Sequence, residues 1–246
     1  MQLPLGLIRR IDELPAWLAG TAQVALGLEE RTDAVAPRSG GPAGNARLTA
    51  WLGLVLLVLF AAEGLTLIDV EALVTWHIAI GALAIPPVLL KLGSTGWRML
   101  GYYLGAKRYE IAGPPPLLLR VAGPFVVLTT IGLLASGVVL ILIGQDESRT
   151  VLLRVLGSRV DWVTVHQAFF WVWLAVTGLH VLGRLVPGFI TLRDAVQTPA
   201  RVPGVWLRGV VLLATAALGV GCALLLVRLD TTWAGHIQHF GHRPGS

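Results

Sequence analysis

Five stretches of the chain are apolar over about the length a helix needs to cross a bilayer: Leu48–Ile68, Ala72–Leu92, Val121–Gly144, Val163–Val186 and Gly209–Val227. A hydrocarbon core of about 30 Å takes roughly 20 helical residues. Because that core holds no water, each segment must pair its own backbone polar groups, and an open segment does so only as a helix. The chain therefore reads as an all-α integral membrane protein of about five transmembrane helices. Composition agrees, since 55% of the residues are hydrophobic and 13% charged, against roughly a quarter charged in a soluble domain. Several of the nine tryptophans stand near the ends of apolar runs, where aromatic belts form.

The net charge of +5 does not point to nucleic acid, because the Lys and Arg are scattered over short connectors rather than gathered on one face. They read as topology signals. The first connector carries Asp69 and Glu71 and no Lys or Arg, whereas the second carries Arg98, Lys107 and Arg108, with Arg120 at the next helix entrance. That second connector is expected to be cytoplasmic, and alternation then puts the N-terminus inside and the C-terminus outside. Against this assignment stand Arg149, Arg154 and Arg159 in the third connector, mixed with Asp146, Glu147 and Asp161. The fourth carries Arg193 and Arg201. Cys222 is the one cysteine, which excludes an intrachain disulfide, a thiolate cluster and thioether haem attachment.

Residues 1–47 do not read as a signal peptide, since Arg9, Arg10, Asp12 and Glu13 interrupt any apolar core. They read as a cytoplasmic arm in which Leu7, Ile8, Ile11, Leu14 and Leu18 fall at helical spacing. That spacing suits an amphipathic helix on the membrane surface or against a partner, or a marginally ordered arm. Ser39-Gly40-Gly41-Pro42 reads as a flexible linker.

Three histidines, His77, His166 and His180, fall inside expected spans, where an ionisable side chain is costly and usually functional. The second and fourth spans run in the same direction in an alternating bundle. His77 and His166 both stand a few residues inside those spans, at one depth, so their imidazoles are placed to face each other. Two neutral imidazoles from separate helices are what a bis-histidine haem b requires. Gly81, one turn beyond His77, removes side-chain bulk where such a ring would lie. His180 follows His166 by fourteen residues, nearly four turns, so it projects from the same face about 21 Å along the axis. That spacing suits a second haem, and the position fourteen after His77 is Lys91. Lys91 reads as a candidate second ligand or, more commonly for such a lysine, as a cation snorkelling to the headgroups. Zinc is disfavoured because no Cys, Asp or Glu accompanies His77 and His166 at their depth. Glu63 reads as interfacial unless it serves a proton or a quinol.

Over roughly Arg47 to Pro187, these residues resemble the bacterial membrane cytochromes b that serve as gamma-type subunits of nickel-iron hydrogenases and formate dehydrogenases. In that family the second helix carries one haem-ligating histidine and the fourth carries two, fourteen residues apart, which corresponds to His77, His166 and His180. The resemblance implies an outer haem on His77 and His166, and an inner haem on His180 together with a histidine near the start of the first helix. The stretch Asn45-Ala46-Arg47-Leu48-Thr49-Ala50-Trp51 contains no histidine, so the chain is an atypical member of the pattern. Either the second site is lost or Lys91 or another residue replaces the ligand.

The expected organisation is a cytoplasmic arm over 1–47, a four-helix haem-binding bundle over 48–187, and a connector, peripheral fifth helix and tail over 188–246. The expected role is an electron-transfer subunit of an oxidoreductase complex in a bacterial cytoplasmic membrane, between a quinone or quinol pool and a redox partner subunit. Two other classes remain. One is a stand-alone quinol-linked reductase or oxidase, the other a haem-free transporter or scaffold whose histidines relay protons or pack. Trp97-Arg98 and the Gly113–Pro116 run read as a rigid, positively charged loop. Pro86-Pro87 is expected to kink the second span. His236, His239 and His242 have metal-like spacing but no acidic or cysteine companions, and read as a solvated tail.

Overall fold

A computed structural model describes residues 11, 13–29, 33–111, 113, 116–230 and 232–233. The described chain is almost wholly helical: α1 Ala16–Ala25, α2 Gly41–Thr66, α3 Val74–Tyr103, α4 Lys107–Glu110, α5 Leu117–Ser148, α6 Trp162–Gln197 and α7 Val205–Leu229. Short 3-10 turns follow α2 and α6, and a two-stranded antiparallel hairpin, β1 Leu153–Val155 and β2 Ser158–Val160, joins α5 to α6. Five of the helices, α2, α3, α5, α6 and α7, are long and apolar enough to cross a membrane. The fold class expected from the five apolar runs is the one observed. Their surfaces are rich in exposed Leu, Val, Phe and Trp, as lipid-facing helices require.

Each span is longer than its apolar run. The fourth continues unbroken from Trp162 to Gln197 through Pro187, although the run alone suggests an end near Val186. Pro86 and Pro87 lie inside α3, which carries on past them as a single helix. The Ser39–Pro42 stretch is not a free linker, because α2 starts at Gly41.

The long helices divide between two compact units, one formed by Met1–Gly53, Lys91–Leu128 and Leu174–Val210, the other by Leu54–Leu90, Thr129–Trp173 and Val211–Ser246. In the first unit the Arg47 guanidinium is buried and donates to the carbonyls of Asp194, Thr198 and Pro199 at 3.1–3.3 Å. It thereby places a cation at the negative end of α6, on carbonyls of which those of Asp194 and Thr198 also accept from backbone amides. Of the arm's apolar series, Leu7 and Ile8 lie outside the described residues, Ile11 is buried and Leu14 is exposed. The arm folds onto its own unit: Gly27 lies against Ile190 and Val186, and Asp33 pairs with Arg98 at 2.9 Å.

In the second unit Ile78 and Ala82 of α3 pack with Leu226 of α7, surrounded by Val74, Ile85, Val138, Ile141, Ala223, Val227 and Trp233. The fifth span, expected outside the haem bundle, is thus part of this unit's core. Phe60 meets Trp173 edge-on at 4.9 Å, and the Trp173 indole donates to Thr130 Oγ1 at 3.1 Å. Near its end α5 breaks at Gly144, whose φ of 79° and ψ of 175° leave the helical region. Glycine reaches that conformation without the clash a β-carbon brings. The amide of Gln145 then donates to Thr232 Oγ1 at 3.0 Å, and the Trp233 indole donates to the Leu140 carbonyl at 2.9 Å.

Candidate functional site

His77 stands in the first turns of α3 and His166 in the first turns of α6, and the second unit brings them together, ring centres 6.4 Å apart and planes at 88°. Each ring is held by a hydroxyl on a neighbouring span. His77 Nδ1 lies 2.9 Å from Thr66 Oγ1 and 3.1 Å from Glu63 Oε1. His166 Nδ1 lies 2.9 Å from Ser136 Oγ.

The direction of these bonds follows from proton counting, since a hydroxyl has one proton to give. Thr66 spends its proton on the Glu63 carbonyl at 2.6 Å, and Ser136 spends its own on the Leu133 carbonyl at 3.0 Å. Where the hydroxyl protons stay on those carbonyls, both hydroxyls accept from the histidines and the imidazole proton sits on Nδ1 of His77 and of His166. In a neutral imidazole the other nitrogen then carries the lone pair. The pair thus presents two Nε2 donors from two helices, each with its tautomer assigned by a partner on Nδ1, which is the arrangement metal-binding histidines use.

Spacing provides a test of fit. An iron clasped between two imidazoles, with metal–nitrogen bonds of about 2 Å on each side, holds the ring centres a little over 6 Å apart. The 6.4 Å found here is of that size, while the space that Gly81 leaves beside His77 is filled by the Glu63 carboxyl. A tetrahedral zinc site fits less well, because no group of three or more His, Cys, Asp or Glu suited to a metal ion occurs among the described residues.

Sequence reasoning missed Thr66 and Ser136 and read Glu63 as interfacial unless it served a proton or a quinol. Glu63 is not at the surface of its span but on His77, with its side chain 21% exposed and Oε2 buried without a partner. The space that Gly81 leaves is taken by Glu63 itself, whose Oε1 would lie 3.2 Å from a β-carbon there. The signal was a carboxylate within an apolar run, which in a membrane marks function by default. Thr66 and Ser136 gave no such signal, because hydroxyls are common in spans and often bond back to their own helix, as both also do here. His236, His239 and His242 lie outside the described residues.

The first unit holds His180 and Lys91, the residues expected at a second site. Lys91 Nζ donates to the Thr49 carbonyl at 2.9 Å. Thr49, Ser94 and Asn45 continue that polar chain: Thr49 Oγ1 is 2.7 Å from Ser94 Oγ, and the Asn45 amide donates to the Ser94 carbonyl at 3.0 Å. Asn45 and Thr49 belong to the stretch where the resemblance calls for a histidine. His180 Nδ1 is buried without a partner, and Lys91 and Arg184 are the charged groups that act on His180 electrostatically. The Asn45–Trp51 stretch supplies no second imidazole for a bis-histidine site there.

Compared with protein-family models, with characterised proteins and with solved structures, the chain matches none.

Proposed function

We propose that the protein is a membrane cytochrome b that carries electrons through one haem, held by Nε2 of His77 and Nε2 of His166. The observation that supports this reading most is the pair of imidazoles, ring centres 6.4 Å apart, each with its side-chain contacts on Nδ1 among the described residues. Haem bound there supplies an iron that accepts and releases one electron, at a potential set by axial ligands, hydrogen bonds and burial. The chain orients both rings through Thr66, Glu63 and Ser136 and excludes water with the apolar side chains of the second unit. By resemblance, electrons pass between a quinone or quinol pool and a redox partner subunit in a bacterial cytoplasmic membrane, and the charge of the second connector favours an N-terminus inside.

Absorption spectra of detergent-purified protein, oxidised and dithionite-reduced, test the reading when combined with haem stoichiometry. One haem per chain is expected, lost in both His77→Ala and His166→Ala. Full haem in both variants, or none in the wild type, overturns it. In the second case the Glu63–Thr66–His77 chain stands as a proton relay of a haem-free protein.

A further inference from the structure

The hairpin between α5 and α6 carries features that neither the fold nor the haem site uses. Its register pairs Leu153 with Val160, Arg154 with Arg159 and Val155 with Ser158. Residues opposite each other in an antiparallel pair share a face, and successive residues alternate. One face therefore presents Leu153, Val155 and Val160 with Ser158, and the other presents Arg154 and Arg159. Leu153 and Val155 are exposed, and neither arginine has a hydrogen bond or ion pair with a described residue. Like charges set directly opposite weaken a strand pair unless an anion lies between them. The acid that ends the hairpin, Asp161, is committed to Thr164 at the start of α6.

The turn adds an independent observation. Its two central residues, Leu156 and Gly157, have φ of 49° and 84°, the two positive values of a type I′ turn, where Asn-Gly or Gly-Gly is favoured. A leucine is strained there, and this one is fully exposed, at 102% of its reference area. Neither turn chemistry nor burial within the chain explains it. A tip that enters lipid does. The hairpin joins two spans through residues 149–161 only, so it either stands in water or folds down on the bilayer, and its apolar face selects the second.

We propose that this hairpin lies in the headgroup layer. Leu153, Val155, Val160 and the Leu156 tip enter the acyl boundary, and Arg154 and Arg159 hold phosphate oxygens of anionic phospholipid. Arginine suits this place because its planar fork binds phosphate at two points while its stem lies along apolar surface. The proposal needs only that α5 and α6 span the membrane and is independent of haem. It also gives the arginine-rich third connector a role other than setting topology.

The test uses the full chain in nanodiscs of phosphatidylcholine, with or without phosphatidylglycerol. A nitroxide at Leu156→Cys, in a Cys222→Ser background, reports its access to oxygen and to a water-soluble nickel chelate. Preferential access to oxygen is expected. Preferential access to nickel overturns the proposal, as does exclusion of both reagents, which would mean a covering protein partner. Arg154→Gln with Arg159→Gln is expected to lower the preference for spin-labelled phosphatidylglycerol over phosphatidylcholine by about five-fold per arginine, and an unchanged preference overturns it. Leu156→Asn suits the I′ turn and so keeps the hairpin folded. Trypsin is expected to cut after Arg154 and Arg159 several-fold faster in that variant, and equal rates overturn the proposal.

Discussion

Gly137 and His166 face each other across α5 and α6 so closely that a β-carbon on the glycine would lie 3.2 Å from His166 Cε1. The absent side chain is what lets the imidazole lie against α5 beside Ser136. Gly137→Ala is expected to push the ring by a few tenths of an ångström and Gly137→Val to displace it further, with stepwise loss of haem on purification. Gly178 of α6 has nothing within 4 Å of its β-position, so Gly178→Ala is expected to leave haem content unchanged. Pyridine haemochrome assays of the three variants check the ordering.

Ser136 is the one side-chain acceptor found for the His166 proton, while His77 has both Thr66 and Glu63. Ser136→Ala therefore removes the side-chain partner and leaves the Leu133 carbonyl, which also bears on the His166 ring. Loss of such an orienting partner commonly weakens metal affinity about 10–100-fold. Thr66→Ala is expected to do less, because Glu63 Oε1 still accepts from the same nitrogen. Haem titration into the two apoproteins compares them, and an equal or larger effect of Thr66→Ala contradicts the proton assignment.

Because Lys91 donates to the Thr49 carbonyl, neither Lys91→Met nor His180→Ala is expected to change the haem count. Both variants should keep the wild-type spectrum. Lys91→Met replaces a cation in the membrane by an apolar chain of similar length, so its thermal stability is expected to be equal or higher. Loss of half the haem in either variant contradicts the one-haem reading.

Asp161 caps α6, accepting from the Thr164 amide at 2.8 Å and the Thr164 hydroxyl at 2.7 Å. Those bonds hold its carboxyl below the ordinary aspartate range. A group depressed in the folded state adds stability above its unfolded value of about 3.9, and that contribution disappears as pH falls through the lower folded value. Asp161→Ala is expected to destabilise by about 1 kcal/mol near neutral pH. Asp161→Asn keeps a capping oxygen and should lose only the pH-dependent part. Thermal melts between pH 6 and 2.5 separate the two, with the wild-type advantage over Asp161→Asn fading at the acid end.

Periodicity and length made the spans readable because lipid imposes one rule on every segment that crosses it. The helix ends were less readable. α6 continues past its apolar run to an end that meets Arg47, a residue distant in sequence. The pairing of His77 with His166 was visible from depth alone, since two spans running in the same direction put equivalent positions level. Which nitrogen each ring presents was not visible, because Ser136 and Thr66 bear on it only through the backbone carbonyls to which they are already committed. Glu63 was misplaced for a related reason: depth along a helix gives no rotation about its axis.

The amide freed where α5 breaks at Gly144 finds its acceptor on Thr232, and Trp233 reaches back to Leu140. Two residues past the fifth span are thus part of what closes the third. An expression variant cut immediately after Leu229 would leave a broken helix with an open amide and an empty place beside Ile78. Affinity tags and fluorescent fusions are therefore better attached downstream of Trp233.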